Sequence, residues 1–207
     1  MIKVKYKKIN NVETAKEIFA FISDSVKNDI IQDDVDFPPL HEIYDILIEN
    51  AQKKSNLQFY GEVYKTLLGI VVASEFNIYS QAVMINVLCV LKKYRKNGFA
   101  QEFLSEIEHI AKKRKAKSIR MAYSKSAKNL ALKNGYKLKF EISFSTKKDD
   151  LAILVMQKLP LQQLDAKTMD GQNYILYSTD SVKTSLINFV TENIPTATAK
   201  YIFEKDL

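Results

Sequence analysis

The sequence predicts an α/β fold of the α+β kind: a mixed, mostly antiparallel sheet with helices on both faces. Three observations lead there. The run from Ala82 to Leu91 is apolar at both parities, with Val83, Ile85 and Val87 on one and Met84 and Leu88 on the other, as in a strand covered on both sides. A basic turn follows it, and a helix begins near Gly98. Around this centre, period-two and helical patterns give the order β-α-α-β-β-β-α-β-α-β-β up to Pro160, which calls for a sheet with helices packed on it.

Each element has its own signal. Ile2–Tyr6 alternates as a strand. Val12, Ala15, Ile18, Phe19 and Ile22 keep helical spacing over Asn11–Ser23, with Asn11 as N-cap. Asp33, Asp34 and Asp36 make an acidic loop closed by Pro38 and Pro39. A second helix, Leu40–Gln52, places Ile43, Ile46 and Leu47 on one face. Two strands, near Leu57–Tyr64 and Lys65–Phe76, meet in a tight turn at Tyr64–Lys65. The helix from Gly98 to Lys115 buries Phe103, Leu104, Ile107, Ile110 and Ala111, and carries Lys112–Lys115 in its last turn, where the helix dipole favours cations. Ser118–Tyr123 is a strand and Ser124–Lys133 a short helix ended by Asn134–Gly135. Tyr136–Thr146 and Leu151–Leu159 read as a hairpin. Residues 1–160 thus form one domain. Residues 161–207 form a small C-terminal β-α-β extension: a linker over Leu161–Gln172, a strand at Asn173–Ser178, a helix at Val182–Val190 and a strand at Lys200–Phe203. It is expected to pack against the sheet edge or a second subunit of a homodimer.

Composition narrows the function. No apolar run approaches the ~20 residues that cross a bilayer, and Met1–Tyr6 alternates rather than forming a signal peptide's apolar block. The single cysteine, Cys89, lies in the apolar strand, which suits a structural thiol in a reducing cytoplasm. The net charge of +7 is unevenly spread. Asn10–Glu62 holds eleven acids and four bases, and Leu91–Lys148 seventeen bases and four acids. A basic surface concentrates phosphate-bearing ligands. Nucleic acid is the weaker match, because the aromatics follow strand periodicity and form no stacking row. His41 and His109 are too far apart in sequence to suggest a metal site, and none is expected.

The sharpest signal is Leu88-Cys89-Val90 followed by Tyr94, then Arg95-x-x-Gly98-x-Ala100 at the mouth of a helix. Small residues let backbone approach a ligand, and the N–H groups of a first helical turn attract anions. Arg95 and Lys96 add charge, and the geometry suits a diphosphate. A second half-motif, Ser124-x-x-Ala127-x-x-Leu130, leads to Asn134-Gly135-Tyr136. Together these resemble the acetyl-CoA-binding core of the GNAT-type N-acetyltransferases. The resemblance spans residues 1–160 in element order and is specific over about 82–159.

The resemblance implies a GNAT-like sheet whose central parallel strands splay to admit the pantetheine arm of acetyl-CoA. It implies backbone contacts to that arm from Leu88, Cys89 and Val90. It further implies diphosphate contacts from Arg95, Lys96, Asn97, Gly98, Phe99 and Ala100, and a contact to the arm from Ser124. The chain departs from the family where protons are handled. Ala131 stands where many members carry a tyrosine acid, and Met84 where many carry a glutamate. Glu75 and Tyr123 are the substitutes, as base through water and as acid. The acidic first two helices and their loop would wall the acceptor side and attract a cationic amine. An N-acetyltransferase moving acetyl from acetyl-CoA to a primary amine is therefore expected. A catalytically silent CoA-binding relative, acting as a regulatory or interaction module, is the alternative.

Overall fold

The computed structural model describes residues 4–29, 39–53, 57–76, 81–145, 162–169, 172–179, 188, 191–192 and 198–207. The acidic loop Asp33–Asp36, the strand expected at Leu151–Leu159 and most of the helix expected at Val182–Val190 lie outside them. The order is β1 (Lys5–Lys8), α1 (Val12–Asp29), α2 (Leu40–Gln52), β2 (Phe59–Val63), β3 (Thr66–Phe76), β4 (Ala82–Val90), α3 (Phe99–Lys113), β5 (Ser118–Ala122), α4 (Lys125–Lys133), β6 (Lys137–Ser145), β7 (Gln162–Met169), β8 (Gln172–Thr179) and β9 (Thr198–Asp206). A short 3-10 turn, Lys92–Tyr94, stands between β4 and α3. Through β6 this is the order expected from sequence.

The strands form one sheet in the order β1-β2-β3-β4-β5-β9-β6-β8-β7. Every pair is antiparallel except β4 with β5. The mixed, mostly antiparallel sheet is thus as expected, and helices cover both faces. On one, Phe103, Leu104, Ile107 and Ala111 of α3 and Ala131 of α4 pack on Val71, Ala73, Val83, Ile85, Ile119, Met121 and Phe203. On the other, Ala15, Ile18 and Ile22 of α1 and Ile43, Leu47 and Ala51 of α2 pack on Ile70, Val72, Val87 and Cys89.

Local chemistry sets the element ends. Asn11 caps α1 as expected, its Oδ1 accepting from Thr14 N at 2.8 Å, though α1 runs on to Asp29. The turn at Tyr64–Lys65 has φ of 49° and 62°, the twist that a two-residue hairpin favours. At the end of α4, Tyr136 N–H donates to Ala131 O at 3.0 Å and Gly135 N–H to Leu132 O at 3.2 Å, the paired bonds of a glycine C-cap.

The C-terminal residues correct the sequence reading. β8 and β7 do lie at the sheet edge, beyond β6, but the last strand does not. β9 is inserted between β5 and β6, pairing Ser118–Ala122 on one side and Lys137–Ser143 on the other. Ile202 and Phe203 are fully buried. Gln162–Met169, read as linker, is strand β7. Its mixed polar pattern hides this, because it is an edge strand paired only with β8 among the described residues. Over Phe140–Ser143, β6 has β8 on one side and β9 on the other, and the strand expected at Leu151–Leu159 lies outside the described residues. Among the described residues no helix is long and apolar enough to cross a membrane.

Candidate functional site

A fork opens in the centre of the sheet. β4 and β5 pair only from Ala82↔Ser118 to Ile85↔Met121. β4 continues to Val90 without β5 beside it. Asn86 stands where the strands part. Val72 pairs with Val87 and Ala73 with Ile85, so Asn86 is the extra residue of a β-bulge. The bulge changes which way the strand faces. Val83 and Ile85 lie in the α3 core, whereas Val87, of the same parity, lies in the α1–α2 core. This explains why the run looked apolar at both parities. The disturbed ladder is repaired locally: Asn50 Nδ2 of α2 donates to Ala73 O at 3.2 Å, and Asn86 Nδ2 donates to Ser74 Oγ at 3.0 Å.

Beyond the fork, strand alternation decides which amides face it. Leu91 N–H donates to Leu68 O of β3 at 2.9 Å. Alternation then turns the amide groups of Cys89 towards β3 and those of Leu88 and Val90 to the side that β5 has left. Of the three residues the resemblance pointed to, Leu88 and Val90 present backbone to the fork. Cys89 does not, and its thiol is buried under α1 and α2. Val90 O accepts from Arg95 Nε at 3.0 Å, which holds the guanidinium at the end of the fork.

The basic turn leads into α3. Lys96 has φ of 63°, and Gly98, the residue ahead of the helix, has φ of 85° and ψ of −10°. Gln101 and Glu102 N–H both donate to Gly98 O, at 2.9 and 3.1 Å. The N–H groups of Phe99 and Ala100 precede these first helical bonds, and no side chain caps the helix. A Cβ on Gly98 would meet nothing within 4 Å, so open space lies before the helix end. Asn97 Nδ2 donates to Tyr94 O and Arg95 O at 3.3 and 3.1 Å, pinning the turn. Phe99 packs edge-on to Tyr94. Gly98 also borders a hollow lined by Tyr6, Gln101, Glu102, Ser105 and Glu106. Burial, then the charges of Glu102 and Glu106, pushes the Tyr6 phenol up to about 12. An anion at the helix end is therefore favoured on the Arg95–Lys96 side.

The opposite wall is β5 and the start of α4. Ser124 is the N-cap of α4, its Oγ accepting from Ala127 N at 3.1 Å. Its hydroxyl thus has a structural duty that sequence reading did not assign. Tyr123 N–H donates to Tyr201 O at 3.2 Å, and its ring stacks on Phe203 with centroids 5.4 Å apart. Glu75 pairs with Val83 through its backbone, two residues on the closed side of the fork. Since Val83 faces Ile119, Glu75 and Tyr123 lie four strand residues apart along the sheet, about 13 Å. The two substitutes are not brought together. Ala131 is fully buried against α3, so a tyrosine there would overfill the core. Met84, half-buried, pairs with Ser74 and Arg120.

Two features escaped the sequence reading. Asn86 is the one polar residue inside the apolar run Ala82–Leu91, and that oddity was its signal. The second is a buried ionic cluster on the other side of β5 from Ile119 and Met121. Arg120 Nε and Ser118 Oγ donate to Glu204 Oε1 at 2.8 and 2.9 Å, and Lys139 Nζ lies 2.7 Å from Oε2. Burial works to raise the Glu204 pKa, but Lys139, Arg120 and Ser118 outweigh it and hold the carboxyl below its ordinary value.

A forked sheet with exposed strand amides leading to an uncapped helix end suits an extended ligand that ends in an anion. Residues 25–140 match the family model of the Acetyltransferase (GNAT) family, and the chain belongs to that family. Solved structures agree on the fold. A GNAT-family acetyltransferase from Staphylococcus aureus Mu50 is 16% identical, with TM-score 0.51, over 86% of this chain and 99% of its own. An IAA acetyltransferase from Bacillus cereus is 13% identical, with TM-score 0.50, over 86% and 100%. A diaminobutyrate acetyltransferase from Paenibacillus lautus, solved with L-2,4-diaminobutyric acid and coenzyme A, is 11% identical, with TM-score 0.50, over 88% and 99%. No curated protein matches the chain.

Proposed function

We propose that this chain is an N-acetyltransferase that moves the acetyl group of acetyl-CoA to a primary amine. The family supports acetyl transfer from acetyl-CoA in general. The observation that carries the reading here is the continuous track from the fork to the helix end. Leu88 and Val90 amides would pair with the pantetheine arm, and the N–H groups of Phe99 and Ala100, with Arg95 and Lys96, would take the diphosphate. Acetyl transfer needs the amine to attack the thioester carbonyl and the departing thiolate to gain a proton. Tyr123, on the β5 wall, is the proposed acid. Glu75 would reach the fork only through water. The acids Glu13, Glu17, Glu42, Asp45 and Glu49 are exposed on α1 and α2, and they favour an acceptor that carries positive charge away from the amine that reacts.

The test is direct: acetyl-CoA affinity by calorimetry, then thiol release with a panel of amines. Binding with amine-dependent thiol release is expected. Absence of acetyl-CoA binding sinks the reading. One observation favours the alternative of a silent CoA-binding relative: the buried Ala131 leaves α4 without the family's usual acid. That alternative expects binding with no thiol release for any amine.

A further inference from the structure

We propose that Asn86 positions the acceptor at the fork, its Oδ1 accepting an N–H of the amine while Ser74 holds its amide, and that the acceptor is a weakly basic primary amine that arrives unprotonated. This rests on the acetyltransferase reading and goes beyond it by naming an acceptor-holding residue and an acceptor class.

Asn86 is placed for this by the backbone. As the extra residue of the bulge it stands at the point where β4 and β5 separate, beside the position a thioester would occupy. Asparagine is disfavoured in strand interiors, and every other residue of β4 is apolar. Its side chain is half-buried, so it does not earn its place by solvation. Ser74 Oγ accepts one amide N–H at 3.0 Å and fixes the plane of the group. Oδ1 accepts from no described residue. Ser74 follows Ile70 and Val72 on the α1–α2 side of β3, so the acceptor would come from that side.

The acceptor class follows from what surrounds the pair. An amide oxygen can hold an N–H but cannot remove a proton at neutral pH. Among the described residues, that side of β5, β9 and β6 carries the charged groups Arg120, Glu204 and Lys139. Glu204 is already bonded to Ser118, Arg120 and Lys139, so it makes a poor base. Asp45 and Glu49 of α2 are exposed to solvent. An amine near the ordinary α-amino value, ~8, has a neutral fraction at pH 7 roughly 200-fold larger than a lysine-like amine at ~10.4. In the step itself, the nitrogen lone pair forms the N–C bond and the C–S bond breaks. The nitrogen loses a proton to water, and the sulfur gains one from Tyr123 or water.

The experiment measures thiol release from acetyl-CoA by the full chain with two probes: triglycine amide, with a free α-amine, and Nα-acetyl-lysine amide, with a free ε-amine. Triglycine amide should be favoured by about 100-fold or more in kcat/KM at pH 7, with a rate that rises along its own amine titration. Asn86→Ala should lower kcat/KM for it about tenfold and leave acetyl-CoA affinity unchanged. Ser74→Ala should lower it less, and Ser74→Thr should restore it. A preference for the ε-amine, or a pH profile abolished by Glu75→Gln, overturns the acceptor class. An Asn86→Ala variant with wild-type kcat/KM, or one that loses acetyl-CoA affinity in proportion, overturns the positioning role. Should Asn86→Ala fail to fold, the probe preference of the wild-type chain and the Ser74 variants decide it. In each of these outcomes the acetyltransferase reading survives; it falls only if acetyl-CoA fails to bind or no amine of the wider panel is acetylated.

Discussion

Arg120 Nε donates to Glu204 Oε1 at 2.8 Å across the β5–β9 pair, with both side chains almost wholly buried. The bond ties a residue near the fork to the last strand of the chain. Ser118 and Lys139 complete the carboxylate's coordination from β5 and β6, so three strands meet at one acid.

Glu204→Gln should therefore destabilise the chain by about 3–5 kcal/mol in urea unfolding, since it strands buried positive charge. Glu204 has a folded pKa below its ordinary 4.5. Its contribution is thus present above that value and is lost as pH falls through the lowered one. Wild-type stability should fall steeply below about pH 4.5, and the Glu204→Gln chain should show a shallower acid slope. Equal slopes would show that the acid limb belongs to other carboxylates.

Gly98 separates cofactor binding from folding. Gly98→Ala forces a Cβ into a left-handed conformation, at about 1–2 kcal/mol, but meets no neighbour. Its acetyl-CoA affinity should stay within a few-fold of wild type. Gly98→Glu carries a similar strain and adds negative charge before the helix end. Acetyl-CoA binding should be lost while the melting transition stays cooperative. Retained affinity in a folded Gly98→Glu chain would remove the diphosphate site from this turn.

Gly69 answers to packing instead. A Cβ there would collide with Cys89 O, inside the β3–β4 pair. Gly69→Ala must push these strands apart, and about 1–3 kcal/mol or more should be lost. Because Gly69 pairs with Val90, acetyl-CoA affinity should fall as well. Stability measured together with calorimetry checks both.

Much of this was legible in the sequence because it is local. Helix periodicity, the Asn11 cap, the Asn134–Gly135 stop and the Arg95–Ala100 turn are written within a few residues of where they act. What was not legible is non-local. The insertion of β9 between β5 and β6 joins residues about 84 apart, such as Arg120 and Glu204, and no period reveals it. The bulge at Asn86 was invisible for a related reason, since an extra residue is defined only against the partner strand. The N-cap role of Ser124 is not separable in sequence from a ligand contact, because both call for the same residue type. The acidic loop over Asp33–Asp36 lies outside the described residues, so its part in attracting a cationic acceptor stays with the sequence argument.

Alkaline pH should weaken the fold through two tyrosines. Burial, then Glu102 and Glu106, raises Tyr6 from 10.0 to about 12. Burial, then Glu108, raises Tyr136 further. Above about pH 10 the unfolded chain sheds these protons while the folded chain keeps them, so stability is full below 10 and declines as pH rises. Tyr136→Phe should lose about 1.5 kcal/mol or more at neutral pH, where its hydroxyl donates to Glu108 Oε1 at 3.1 Å. It should also flatten the decline above pH 10. Urea titrations at pH 7 and pH 10.5 separate the two effects.

The last prediction concerns the C-terminus. Reading residues 1–160 as a self-sufficient domain predicts that a chain ending at Pro160 folds and binds acetyl-CoA. The sheet order argues the reverse. Without β9, β5 loses its antiparallel partner among the described residues and β6 loses its neighbour over Lys137–Ser143. Ile202 and Phe203, both fully buried, leave the core at about 1.5–3 kcal/mol each, and Arg120 loses Glu204. Set against a typical domain stability of about 5–15 kcal/mol, these losses are enough to unfold the chain. The truncated chain should show no cooperative melting transition and no acetyl-CoA binding. A chain ending at residue 197 should behave the same way, which would assign the loss to β9 rather than to β7 and β8. Adding a synthetic peptide of residues 198–207 to it should restore part of the transition. A cooperative melt and wild-type cofactor affinity in the chain ending at Pro160 would mean that another segment can fill the gap between β5 and β6, and that β9 is dispensable.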